Sequence, residues 1–125
     1  MKLIIVLSLL ILTNSNISHA ASRCEDFGVM HDKDILELTY MEAEELKEEY
    51  CKIGRLKKLL LESTERFQNL AENAASDSGF WSAMNESEIR SQQYSACGNY
   101  EKRIMRVLKK DHNVEELDCT PYNNK

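Results

Sequence analysis

Four cysteines, at 24, 51, 97 and 119, and two histidines, His31 and His112, are the residues of this sequence best suited to cross-linking or metal binding. They fall as Cys24-x6-His31 and His112-x6-Cys119, a mirrored spacing that would place two thiolates and two imidazoles around a zinc ion if the chain ends met. An even number of cysteines in an oxidising compartment reads instead as two disulfides. That is the reading adopted, with no metal and no cofactor expected. There is no Cys-x-x-Cys, so a thioredoxin-like redox centre has no support. Glu42, Glu44, Glu45, Glu48 and Glu49 form an acidic run, but such a run on a helix is ordinarily a solvated face. A Ser or Cys nucleophile would need a base, an orienting acid and a cleft. With no glycine-rich phosphate loop, zincin motif or EF-hand pattern either, the chain is expected not to be an enzyme.

The compartment follows from the first residues. Met1-Lys2 precedes a ten-residue, largely apolar run, Leu3 to Leu12, which the polar Thr13-Asn14-Ser15-Asn16 ends. A membrane span needs about 20 apolar residues, so this is expected to be a signal peptide over residues 1–20, cleaved after Ser18-His19-Ala20. Cleavage would remove Lys2 and no acid, leaving 105 residues with 15 bases, 21 acids and a net charge of −6. An exported acidic chain of that size is at most one domain and is poorly suited to nucleic acid phosphates. The expected location is periplasmic or extracellular. Asn85-Glu86-Ser87 is a glycosylation acceptor triplet, meaningful only in a eukaryotic secretory route.

The elements that must position the cysteines are helical. Between residue 34 and about 72, apolar side chains recur at Leu46, Tyr50, Ile53, Leu56, Leu60, Phe67, Leu70 and Ala74, with Glu, Lys, Arg and Gln between them. This is one face of a long amphipathic helix, started by Asp34 with Glu37 or by Thr39 with Glu42. Gly54 is a place where it bends or divides. Ala74 to Gly79 forms a break, and a second helix follows, capped by Ser82 or by Asn85 with Glu88. Its stripe is Ile89, Cys97, Tyr100, Ile104, Val107 and Leu108, and Asp111-His112-Asn113 ends it. The expected organisation is an N-terminal segment at 21–33, a helical domain at 34–119 and a flexible tail at 120–125. The fold class is all-α, an antiparallel helical hairpin or small helical bundle stapled by two disulfides.

Charge favours the antiparallel arrangement. Residues 34–49 hold seven acids and one base, 102–110 hold five bases and no acid, and a hairpin sets the two runs opposite each other. It also sets Lys52, Arg55, Lys57 and Lys58 across from Glu86 and Glu88. The cysteines are symmetric about the same turn, which favours the nested bridges Cys51–Cys97 and Cys24–Cys119. That pairing requires helix one to end near 70 and helix two to begin near 78, since otherwise the two thiols differ in height by roughly 13 Å. The alternative is a chain broken at Gly54 into three helices, with Cys51 meeting Cys119.

Two amphipathic helices bury one stripe each, and Leu59, Leu60, Leu61, Phe80, Trp81 and Met84 exceed a single stripe. Internal packing, a second copy of the chain or a protein partner must cover them, and Phe80, Trp81 and Met84 are the candidate partner-binding anchors. The expected function is non-catalytic: a small exported protein that binds a macromolecular partner as an inhibitor, adaptor or accessory factor of the envelope or secretome. The partner is expected to be another protein, with a homodimer as a further assembly, and neither nucleic acid nor membrane is expected. The alternative is a secreted effector or toxin acting on a host membrane or receptor.

Overall fold

The computed structural model describes residues 23–26 and 29–123; the expected signal peptide lies outside the described residues. Two-residue strands β1 (Glu25–Asp26) and β2 (Val29–Met30) pair antiparallel, and three helices follow: α1 (Ile35–Thr39), α2 (Ala43–Glu72) and α3 (Asp77–His112). A 3-10 turn at Thr120–Tyr122 closes the chain. α2 and α3 are the hairpin. Tyr100 reaches Glu49 and Ser87 reaches the carbonyl of Thr64, so contacts advance along α2 as they retreat along α3; Lys57 also reaches Glu101 across the pair. α1 packs on α3, and the 3-10 turn packs on α2.

Of the two proposed starts of the first helix, the Asp34 cap is used and the Thr39 cap is not, since Thr39 ends a first short helix and Glu42 is the N-cap of a second. Asp34 accepts from the Glu37 amide at 2.9 Å and caps α1, which stops after five residues at Thr39. Glu42 then begins α2, with Glu44 and Glu45 in its first turn, where the helix dipole favours carboxylates. α2 runs unbroken through Gly54 for 30 residues. Gly54 faces α3, where a Cβ would meet Glu101 Oε2 at 3.4 Å, ordinary contact distance.

The second helix starts earlier than expected. Ser76, not Ser82 or Asn85, is the cap, accepting from the Gly79 amide at 3.1 Å. Phe80 and Trp81 therefore stand in the first turns of α3 and not ahead of it. Asn113 ends α3 in the left-handed conformation at φ 57°, which asparagine tolerates better than most residues, while Lys109, Lys110 and His112 complement the helix C-terminus.

The disulfides join Cys24 to Cys97 and Cys51 to Cys119, which corrects the nested expectation and also separates this pairing from a break at Gly54. Height was the wrong criterion. Cys51 lies 21 residues before the end of α2 and Cys97 lies 20 residues after the start of α3, so they are level. They differ in direction. Cys51 stands two residues from Ile53, roughly 200° round the helix; Ile53 belongs to the core shared with α3, and Cys51 does not. Its stripe of Glu44, Cys51 and Arg55 faces the C-terminal segment, because Glu44 accepts from the Tyr122 hydroxyl at 2.6 Å and Arg55 donates to the Tyr122 carbonyl at 3.1 Å. Residues 120–123 are thus held against α2, with Tyr122 buried, where a flexible tail was expected. Cys97 lies on the core stripe of α3 and takes Cys24 from the N-terminal segment, which Asp32 and Lys33 also hold by contacts to Arg103.

The core is confined to the open end of the hairpin. Leu38, Leu46, Ile53, Leu56, Leu60, Cys97, Tyr100, Ile104, Val107 and Leu108 form it with Cys24. Beyond Leu60 on α2 and before Cys97 on α3, the buried residues are small or polar: Thr64, Ala71, Ser87, Gln93 and Ala96.

Candidate functional site

The distal half of the hairpin, formed by α2 after Leu60 and α3 before Cys97, carries its large apolar side chains on the outside. Trp81 is 69% exposed, Leu70 is 54% exposed, and Leu61, Phe80 and Met84 are exposed as well. Leu59, 60% exposed, continues the surface toward the base. Leu60, counted with this surplus in the sequence, is instead buried in the core, and Leu70, expected on the buried stripe, yields its place to Ala71. Phe80 and Trp81 meet edge to face with centroids 5.2 Å apart. Trp81 and Met84 line an open groove of about 390 Å³ with Gln68 and Glu88. The structure therefore brings the three candidate anchors together near the turn. Leu59, Leu60 and Phe67 line a second groove of about 520 Å³ with Arg66 and Arg90.

The local sequence explains this inversion. The α2–α3 contact in the arm uses Thr64, whose hydroxyl turns back to the Leu60 carbonyl at 2.9 Å, and Ser87, whose hydroxyl faces the Thr64 carbonyl at 3.4 Å. Such residues let two helices come close, but they bury little apolar area and contribute little hydrophobic stabilisation. Ser87 is also the third residue of the glycosylation triplet, and it is buried while Asn85 is exposed.

No family model, curated protein or solved structure matches this chain.

At the base, the titratable groups serve the fold. Glu49 receives the Tyr100 hydroxyl at 3.2 Å and lies 3.6 Å from both His31 Nδ1 and Lys33 Nζ, which fastens the N-terminal segment across the hairpin. The histidines of the mirrored motif are placed differently: His31 is buried beside Glu49, and His112 Nε2 is buried with no hydrogen-bond partner among the described residues. All four thiols are consumed by disulfides. Among the described residues, no group of three or more His, Cys, Asp and Glu is arranged to hold a metal ion.

The expected cross-hairpin charge pairs are present only in part. Lys57 pairs with Glu101 at 2.7 Å, not with Glu86 or Glu88, and Glu86 pairs locally with Arg90. Of the five bases in 102–110, Arg103 has an ion pair, to Asp32 at 2.8 Å. The hydrogen bond to Glu101 raises the Lys57 pKa, against the opposing effect of burial.

Burial, followed by the charge and hydrogen bond of Glu49, pushes the Tyr100 phenol well above its ordinary value of 10.0. Folded protein therefore keeps a proton that unfolded chain releases near pH 10. This contribution to stability is complete below pH 10 and is lost as pH rises from there toward the raised folded value. The urea midpoint is expected to fall steadily above pH 10, and less steeply in Tyr100→Phe. An equal slope in the two proteins would show that Tyr100 is not the linked group.

Proposed function

We propose that this protein is an exported, non-catalytic binding protein whose distal two-helix arm engages another protein through Phe80, Trp81 and Met84. The observation that supports this reading is the inversion of the arm: small and polar side chains inside, large apolar ones outside. Isolated helices are marginal in water without an amphipathic face packed against something, and an exposed aromatic cluster rimmed by polar residues is the usual form of a protein-binding anchor. The stapled base contributes rigidity. The two disulfides are compatible with an oxidising, exported environment, and no helix of the described residues is long and apolar enough to cross a membrane.

The test is site-specific photo-crosslinking in the producing cells, with a photoreactive phenylalanine at position 81 and, as the comparison, at position 110 on the charged base. A discrete adduct from position 81 and none from position 110 is the expected result. Trp81→Ala should weaken the isolated complex by roughly tenfold or more, as loss of a tryptophan anchor does, without loss of helicity. Equal labelling from the two positions would place the binding surface elsewhere, and an adduct containing only a second copy of the chain would replace the heterologous partner with a homodimer.

A further inference from the structure

A second surface, at the other end of the hairpin, is cationic on a protein whose net charge is −5. An open groove of about 770 Å³ runs between α2 and α3, with Tyr50, Tyr94 and Met105 among its apolar walls. Lys102, Arg106 and Lys109 line its α3 side. They are exposed, and their i, i+4, i+7 spacing makes one stripe about 10 Å long. Among the described residues, none of the three has an ion-pair partner. Lys57 stands on the α2 side, but Glu101 neutralises it and its ammonium lies 5.0 Å from the Tyr94 ring. Gly98 also lines the groove, with Lys57 Nζ at ordinary contact distance, 3.8 Å, from where a Cβ would stand. The groove is therefore concave, aromatic along its walls and cationic along one rim.

We propose that this groove docks an acidic amphipathic helical segment of a partner protein. The charge is the first reason. Three unpaired cations on a helical stripe are complementary to carboxylates at the same spacing on a second helix, and complementary fields guide and orient association. Shape is the second. Tyr94 to Lys109 is 16 residues of α3, or roughly 22 Å end to end, long enough for a helix of about 15 residues whose apolar face would rest on Tyr50, Tyr94 and Met105. A lipid surface is flat and would leave these walls uncovered.

The test uses the full mature chain and a fluorescent, amidated peptide of about 15 residues, with Glu at i, i+4 and i+7 and Leu on the adjoining face. The comparisons are a scrambled peptide of the same composition and vesicles of phosphatidylglycerol. Saturable binding of the patterned peptide is expected. It should weaken roughly tenfold or more in Lys102→Glu/Arg106→Glu, and also on raising salt from about 0.05 M to about 0.5 M, where the screening length shrinks. Circular dichroism checks that the charge-reversed chain remains folded. If it does not, Lys109→Glu alone must weaken binding in a folded chain. Trp81→Ala should leave peptide binding unchanged, which separates this groove from the apolar arm. Equal affinity for the scrambled peptide, binding to vesicles without binding to the peptide, or indifference to charge reversal would each overturn the assignment.

Discussion

Removing the Cys51–Cys119 bridge with the paired change Cys51→Ala/Cys119→Ala is expected to destabilise the protein by about 4 kcal/mol, the loop-entropy contribution of a closed segment this long. The bridge spans 68 residues and holds the C-terminal segment on α2, where Tyr122 adds polar contacts to Glu44 and Arg55. A domain of this size has a total stability of about 5 to 15 kcal/mol, so the loss is a large share of it and should appear as a strong fall in the urea midpoint. Non-reducing peptide mapping of the parent protein is expected to yield Cys51 joined to Cys119 and Cys24 joined to Cys97. A Cys51–Cys97 peptide would overturn the arrangement of both terminal segments. The two closed loops overlap in sequence, so removing both bridges is expected to cost less than twice the effect of one.

The pairing shows what sequence spacing conveys and what it omits. Residue counting from the turn places Cys51 and Cys97 at one height only if helix one ends near 70 and helix two begins near 78, and the helix ends at Glu72 and Asp77 meet that condition. Direction was also available: Cys97 is in step with Tyr100, Ile104 and Val107, whereas Cys51 falls between Leu46 and Ile53 on the other side of α2. A thiol off the apolar stripe needs a partner from outside the hairpin, and only the chain ends can supply one. The apolar stripe of α3 from Cys97 to Leu108 is found as expected, because helical periodicity is strongest where one face is fully buried. Element ends were harder to place. Ser76 and Ser82 are both plausible caps, and the choice between them depends on how the turn closes, which residue types alone do not specify.

The candidate binding surface divides in the same way. Phe80, Trp81 and Met84 exceed one buried stripe on sequence grounds, and their exposure follows from that excess. That Thr64 and Ser87 would take the interior of the arm was not apparent, because polar residues at helical spacing read as a solvated face until a second helix is set against them. The cationic groove was obscured by the opposite assumption. The basic run at 102–110 was matched to the acidic run at 34–49 as a whole, yet a helix distributes nine residues around its full circumference, and among the described residues it is Arg103 that bonds to the N-terminal segment. Lys102, Arg106 and Lys109 share another direction and remain available.

The uneven distribution of the core leads to a second large expected effect, a contrast between the two ends of one hairpin. Ile104 is fully buried in the basal cluster, and Ile104→Ala should cost about 2 to 5 kcal/mol, the range for deleting a large aliphatic side chain from a packed core. Leu59→Ala and Leu70→Ala, each removing comparable apolar volume from exposed positions, should stay within about 0.5 kcal/mol. The arm is held by contacts that bury little apolar surface, so its opening should require less energy than global unfolding. Backbone amides of residues 64–72 and 80–90 are therefore expected to exchange with solvent faster than those of 50–60 and 97–108. Uniform protection along both helices, or a loss in Leu70→Ala as large as that in Ile104→Ala, would mean that the arm is a continuous part of the core. Its outward apolar residues would then need no partner to explain them. Faster exchange confined to the arm, slowed when the crosslinked partner is bound, would tie the weak interior of the hairpin directly to its exposed aromatic face.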